Sequence, residues 1–386
     1  MNADVIVIGL GAMGSAACYQ LAKRGANVIG IDRYSPPHSL GSTHGETRIT
    51  RQAIGEGEHF VPFALRSYEI WRELEQETGA DLLTITGGLI VTSDSTHLLH
   101  GNRDFLQTTI DAAARFRIAH RILDANEIAR EFPQLTLEGN ERGYFEDAAG
   151  FLRPGDCVTA QLGQAQKLGA VVRRNERVVR VRQEGSGVQV VTESRVYSAA
   201  KAIISAGPWV NEFLESVPAD LFKVYRQVLF WFDVSSAYDQ YVVGRFPVFI
   251  WSFGRWRDDY VYGFPAIDGK DGGLKLASED FRSTTSPDEA KREVSKEEAA
   301  ARHESYVSGK LKGIAERCIR SVVCLYTVTP NSNFVIDQLD ENVILASPCS
   351  GHGFKHSAAL GETLAELVTT GSSSRDISKF SFHQFH

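Results

Sequence analysis

The stretch that most restricts the fold is VIVIGLGAMGSAACYQLAKRGANVIGID, residues 5 to 32. An apolar run enters Gly9-x-Gly11-x-x-Gly14, and a helix-compatible segment follows. A second apolar run, from Val28 to Ile31, ends in Asp32, close to the spacing at which a ribose-binding carboxylate is expected. Gly9 permits a tight turn, Gly11 lets backbone approach a pyrophosphate, and Gly14 lets the helix pack on the strand. The helix N-terminus adds N–H groups and positive potential. Glycines alone would suit an ordinary βαβ turn; strand, turn, helix and acid together predict a dinucleotide site. The pattern does not separate NAD from FAD.

A chain of 386 residues has length for two domains with good cores. At 43% hydrophobic and 23% charged residues it reads as an ordinary soluble globular protein. A net charge of −7 without a basic stripe argues against a nucleic-acid partner. No apolar run approaches the roughly 18 residues of a membrane span, and no charged leader precedes the first strand, so a cytoplasmic protein with no membrane partner is expected. The five cysteines, Cys18, Cys157, Cys318, Cys324 and Cys349, are odd in number and lack metal-ligand or CxxC spacing. Neither a disulfide framework nor a metal site is expected.

Val61, Ala64, Leu65, Tyr68, Trp71 and Leu74 recur at helical spacing up to Gly79, which can stop the helix. Asp124 with Glu127 resembles a capping pair, and Asp156 is read as the cap of a helix running to Leu168. From Val171 the chain turns to short strand-like runs. The stretch from Val224 to Tyr262 is strand-like and aromatic, with Phe230, Trp231, Phe232, Phe246, Phe249, Trp251 and Phe253 read as sheet core more readily than pocket wall. Between Ser286 and Lys312 a charged helical stretch reads as a solvated face. Near the C-terminus, VILASPCSGHGFKHSAALGETLAEL passes from strand through a Gly-rich turn into a helix with Leu360, Leu364, Leu367 and Val368 on one side, closed by Gly371. Alone, that turn suits either an anion or cofactor site or an ordinary strand-to-helix connection. The absence of a linker predicts that a second domain is inserted into the first.

GSTHGETRITR followed by GEGEHFVP, then YGFP, LKL, CLYT, SGHGFK and DISKFSF, occur in the order in which similar blocks stand in monomeric sarcosine oxidase and N-methyltryptophan oxidase. The chain resembles that family of flavoenzymes, of the glycine-oxidase and D-amino-acid-oxidase superfamily, over most of its length. The resemblance implies FAD. It also implies an α/β fold: a Rossmann-like FAD-binding domain (1–81, 147–221 and 318–386) with an inserted α+β substrate domain (82–146 and 222–317) built on an antiparallel sheet. In such enzymes the cysteine of C-x-Y-T is joined to the flavin 8-methyl by a thioether, which here is Cys324, with Cys349 as the competing position. Arg51 and Lys355 would hold a substrate carboxylate, which wants a two-donor fork reinforced by a point charge. Arg48, His44, Thr47 and Ser42 would lie by the flavin ring, Gly351, Gly353 and Phe354 would complete the cofactor site, and Tyr326 and Tyr262 would flank the substrate. Lys275 would face the ring opposite Arg48, where a fixed cation stabilises charge developing on O2.

The implied reaction oxidises the C–N bond of a secondary amino acid to an imine that hydrolyses, with O2 becoming H2O2; the partners are the amino acid and O2, and the protein a monomer or weak homo-oligomer. No strong base is needed if the amine binds unprotonated, a form favoured by the surrounding cations. Three departures from the family pattern bear on the substrate. Glu279 replaces a histidine four residues after the catalytic lysine, the loop before Lys275 is two residues longer, and Ile250 replaces a pocket methionine. These argue for a substrate larger than sarcosine, such as an N-carboxymethyl or N-methyl amino acid with an apolar side chain. Alternatively Glu279 faces away and pairs with a nearby arginine such as Arg282. An NAD-dependent dehydrogenase would retain the fingerprint but has no use for CLYT or SGHGFK, and a non-catalytic flavin-binding protein would dispense with Lys275.

Overall fold

The strand Asn2–Ile8 sits inside a sheet because Val5, Ile6, Val7 and Ile8 are apolar on both faces, as a parallel strand covered on both sides must be. The computed structural model describes residues 2–93, 104–214, 220–254 and 259–385. Val196–Ile204 and Val28–Ile31 flank the first strand in parallel, Val171–Arg173 extends the sheet beyond Val28–Ile31, and Val343–Ser347 pairs in parallel with Val196–Ile204. The antiparallel strands Val178–Glu184, Gly187–Thr192 and Val335–Asp340 complete eight. At the carboxyl ends of the parallel strands, Gly9 N donates to Ile31 O and Ser205 N donates to Ile8 O, both at 2.8 Å. That edge is where open α/β sheets bind ligands.

The helix Ala12–Lys23 closes directly onto this turn. A Cβ on Gly14 would stand 1.7 Å from the Gly9 carbonyl oxygen, so a side chain there would force the two apart. Over the same helix pack Pro154–Lys167 and Ser357–Thr370. The last of these, expected to bury one stripe, is buried on every side from Ser357 to Ala365, although Leu360, Leu364 and Val368 are buried and Leu367 is half-buried as expected. Its small residues are the reason: at Gly361 a Cβ would come within 2.3 Å of Ala16 Cβ.

Local signals translated well. Val61–Thr78 is a helix ended by Gly79 in the left-handed region at φ 71°, and Asp124 and Glu127 form a reciprocal capping box. Asp156 is not a cap: the helix begins at Pro154, with Arg153 in the cap position and Asp156 in the first turn. Proline suits a helix's first position because its missing N–H would have had no partner there. Of the charged stretch between Ser286 and Lys312, only Lys296–Tyr306 is helical, and it buries Ala299 and Tyr306 alone.

A second eight-stranded sheet runs in the order Cys318–Val328, Lys223–Phe232, Leu274–Ala277, Tyr260–Gly263, Val248–Ser252, Gly88–Thr92, Arg142–Glu146, Arg121–Asp124. It is antiparallel except where Val248–Ser252 meets Gly88–Thr92 in parallel. Cys318–Val328, grouped in sequence with the cofactor-binding segments, lies along Lys223–Phe232 in this sheet. Phe230, Trp231, Phe232, Phe246, Phe249 and Trp251 are buried, as a sheet core requires. A small sheet of Arg48–Thr50, Gly150–Leu152 and Leu83–Ile85 carries the arginine segment.

Candidate active site

The loops at the carboxyl edge of the first sheet and one face of the second bound a continuous cleft. Gly9, Gly11, Asp32, Ser205 and Trp209 line it on the first-sheet side; Ile250, Tyr260, Tyr262, Phe264 and Glu279 line it from the second. Asp32 ends its strand with both oxygens engaged, Oδ2 accepting from Leu10 N and Oδ1 from Tyr34 N, each at 2.7 Å. Burial raises its pKa while those two N–H groups oppose the rise.

The two arginines of GSTHGETRITR part company. Arg48 Nη1 donates to Thr47 O at 2.9 Å and Nη2 to Ser42 O at 2.8 Å, which fastens it to the preceding loop. Arg51 Nη2 donates instead to Glu56 Oε2 at 2.6 Å, and Lys355 Nζ reaches Glu56 Oε1 at 3.1 Å. Sequence reading assigned no role to Glu56, whose side chain is 2% exposed. Its only signal is a glutamate between Gly55 and Gly57 shortly after an arginine, which has no periodicity to detect. Two cations on one carboxylate leave a positive balance. Arg51 Nε is buried with no hydrogen-bond partner among the described residues, and so is Ser347 Oγ on the cleft wall. Lys355 spends two of its three donors on Glu56 and on His352 O, the latter at 2.7 Å.

Ser42, Thr47, Gly351, Gly353, Phe354 and Tyr326 line the same cleft, as does Cys349. His44, Lys275 and Cys324 stand behind that surface. Cys324 Sγ lies 3.4 Å from both Arg48 Nη2 and Ser42 O. Lys275 Nζ donates to Gly45 O at 2.6 Å, Thr47 O at 2.7 Å and Thr47 Oγ1 at 3.0 Å. Burial and the Arg48 charge bring the His44 imidazole down to about 3, so it is neutral. The Tyr262 and Tyr326 hydroxyl oxygens are 3.4 Å apart, and burial pushes Tyr262 up to about 12. Glu279 does not face away. It is 3% exposed and lines the cleft, while Arg282 Nε donates to Asp280 Oδ1 at 3.0 Å.

Residues 4–367 match the family model of FAD dependent oxidoreductases. The chain belongs to the FAD-dependent oxidoreductase family. This oxidoreductase is 35% identical over 380 residues to monomeric sarcosine oxidase of Streptomyces avermitilis, covering 98% of this chain and 96% of the relative. It is 34% identical over 389 residues to N-methyl-L-tryptophan oxidase of Yersinia pestis, covering both chains completely. Among solved structures, NikD, an unusual amino acid oxidase essential for nikkomycin biosynthesis, has a TM-score of 0.83 at 23% identity, over 98% of this chain and 97% of that one. Glycine oxidase from Geobacillus kaustophilus has a TM-score of 0.74 at 18% identity, over 98% of each. These two share the fold.

The oxidoreductase's residues fit FAD: the glycine turn closes without side chains, Asp32 stands at the second strand's end, and the cleft continues from there to the Arg51 and Lys355 cations. No helix of the described residues is long and apolar enough to cross a membrane.

Proposed function

We propose that the chain oxidises a secondary, N-substituted amino acid at its C–N bond, with a substrate larger than sarcosine. The observation that carries this reading is the buried Arg51–Glu56–Lys355 group, which keeps an excess positive charge and unused donors in the same cleft as the nucleotide fingerprint. Bound FAD supplies the acceptor of two electrons, which O2 then takes up as H2O2. Arg51 and Lys355 bind the substrate carboxylate, Tyr262 and Tyr326 flank the substrate, and Ile250 sets the wall on the side of the second sheet. Exclusion of water by these buried groups strengthens each charged contact. Gly9, Gly11, Gly14, Asp32, Ser42, Thr47, Gly351, Gly353 and Phe354 hold the cofactor, and Cys324 attaches it covalently. The position of Cys324, with Sγ 3.4 Å from both Arg48 Nη2 and Ser42 O, favours that thiol because it holds the sulfur against the loop that carries Ser42 and Thr47.

The purified protein is therefore expected to be yellow and to release peroxide when given N-substituted amino acids in a screen running from sarcosine to N-carboxymethyl compounds. Colourless folded protein that binds NADH would reject the proposal. In the same experiment, flavin should remain with the acid-precipitated wild type and with Cys349→Ser but leave with the supernatant of Cys324→Ser. Retention in Cys324→Ser would move the attachment elsewhere.

Carboxylate binding should also depend on pH. Burial, with the Arg51 charge adding to it, brings the Lys355 ammonium down to about 8 against the pull of Glu56. The clamp is fully cationic below that value and loses one charge as pH rises through it. Binding of butanoate, which carries no group titrating in this range, is expected to weaken severalfold between about pH 7 and about pH 9. The weakening should vanish in Lys355→Met; a slope that persists there would assign it to another group.

A further inference from the structure

Four charged side chains meet on the substrate side of the cleft: Arg51, Lys355, Glu56 and Glu279. Three of them form the carboxylate clamp. The fourth, Glu279, is a buried carboxylate on the cleft wall, beside the Tyr260 hydroxyl and with Tyr262 and Tyr326 nearby. Backbone holds room for it. Gly351 sits at φ +84°, and a Cβ there would come within 2.6 Å of Glu279 Oε1 and 3.0 Å of Tyr326 Cε2. The carboxylate thus lies against the turn that, four residues later, delivers Lys355 to Glu56. Clamp and carboxylate are neighbours on one short segment.

An amino acid presents the complementary pair, a carboxylate and an ammonium joined through one carbon. An amino acid with its carboxylate on Arg51 and Lys355 can turn its nitrogen toward Glu279, which lines the same cleft against the Gly351 turn. A buried carboxylate is stabilised by a cation placed against it. The histidine of the family pattern could not supply that permanent negative charge.

Resting on the amine-oxidase reading above, we propose that Glu279 receives the ammonium of a zwitterionic N-substituted amino acid and removes one proton from it. The N–H bond breaks, its electron pair stays on nitrogen, and the proton forms an O–H bond on the Glu279 carboxylate. The products are a neutral amine, the form able to give up hydride, and a neutral carboxylic acid. Glu279 thereby lets the site take up the zwitterion, the dominant form of such amino acids near neutral pH.

The test uses the flavin-loaded protein and two unreactive probes of one shape: glycine betaine, permanently cationic, and 3,3-dimethylbutanoate, its neutral carbon isostere. Binding is read from perturbation of the visible flavin band. The wild type is expected to prefer betaine by about tenfold or more, the scale of one charged contact. Glu279→Gln should abolish the preference while leaving 3,3-dimethylbutanoate binding unchanged, and Glu279→His, which restores the family residue, should do the same if the glutamine variant does not fold. In anaerobic reduction by substrate, the wild-type rate should rise at lower pH than in Glu279→Gln, where it climbs only toward the amine's own pKa. A preference that survives both substitutions, pH profiles that coincide, or failure of either probe to bind the wild type overturns the proposal. Protein that oxidises amines yet gives such a result refutes the role of Glu279 alone; protein without flavin refutes the amine-oxidase reading itself.

Discussion

With Arg51 replaced by methionine, kcat/KM for the amino-acid substrate is expected to fall by about a hundredfold or more, with most of the loss in binding. A charged hydrogen bond contributes about 1.5–3 kcal/mol, and about 1.4 kcal/mol is a factor of ten. Losing a two-donor fork accounts for the size. Arg51 is 3% exposed, and its guanidinium carbon lies 5.1 Å from the centroid of the Phe105 ring, so the group is held in place rather than waving in solvent. Removing it takes away one of the two cations on Glu56 and keeps Lys355. Breaking a buried ion pair from one side costs about 3–5 kcal/mol, and the surviving contact to Lys355 at 3.1 Å should reduce that cost, so a lower melting temperature with flavin retained is expected. Arg51→Lys should recover only part of the binding, because an ammonium offers a point charge where the guanidinium offers a planar fork. The measurement is the Kd of substrate in anaerobic stopped-flow reduction. A Kd within about threefold of wild type would mean that the substrate's acid group is bound elsewhere, since even one charged contact is worth more than that.

How much of this was legible in the sequence follows from the range of the interactions involved. The dinucleotide turn, the helix ended by Gly79 and the Asp124 capping box are all set within a few residues, and each was found where the residues placed it. Asp156 failed for an equally local reason: Pro154 starts the helix, which puts the aspartate one turn too late to cap it. Contacts across long separations were not legible. Nothing near Glu56 marks it as the partner of a lysine 299 residues away. The parallel pairing of Gly88–Thr92 with Val248–Ser252, and the placement of Cys318–Val328 beside Lys223–Phe232, depend on which strands find each other in space. Family blocks made up part of this gap, since they carry spatial information that periodicity lacks. Even so, the blocks placed Arg51 and Lys355 on a substrate without revealing the carboxylate between them.

Lys275→Met is expected to slow the reaction of the reduced enzyme with O2 by about 10²–10³-fold, the scale of removing one preorganised electrostatic group. Anaerobic reduction by substrate should change only a few-fold. Lys275 stands opposite Trp231 across adjacent strands, with its Nζ 4.4 Å from the Phe264 ring centroid and 5.6 Å from that of Trp231. All three of its donors are spent on Gly45 and Thr47. Its expected effect is therefore that of a charge held at a fixed point, not of a hydrogen bond it has yet to make. That point is braced from behind: Trp231 Nε1 donates to Glu46 Oε2 at 3.0 Å, and Arg320, paired with Glu46, lies 4.0 Å over the Trp231 ring. Burial draws the Lys275 pKa well below that of a free lysine, the Arg48 charge draws it further, and Glu46 opposes both. The charged form exists below that lowered pKa, so the wild-type oxygen reaction should decline as pH rises through it, and the decline should be absent in Lys275→Met. Stopped-flow mixing of reduced enzyme with oxygenated buffer across pH measures both effects. Equal slowing of the two half-reactions would show instead that Lys275 supports the shape of the site, because a residue needed only to keep the loop at Gly45 and Thr47 in place would disturb substrate and oxygen alike.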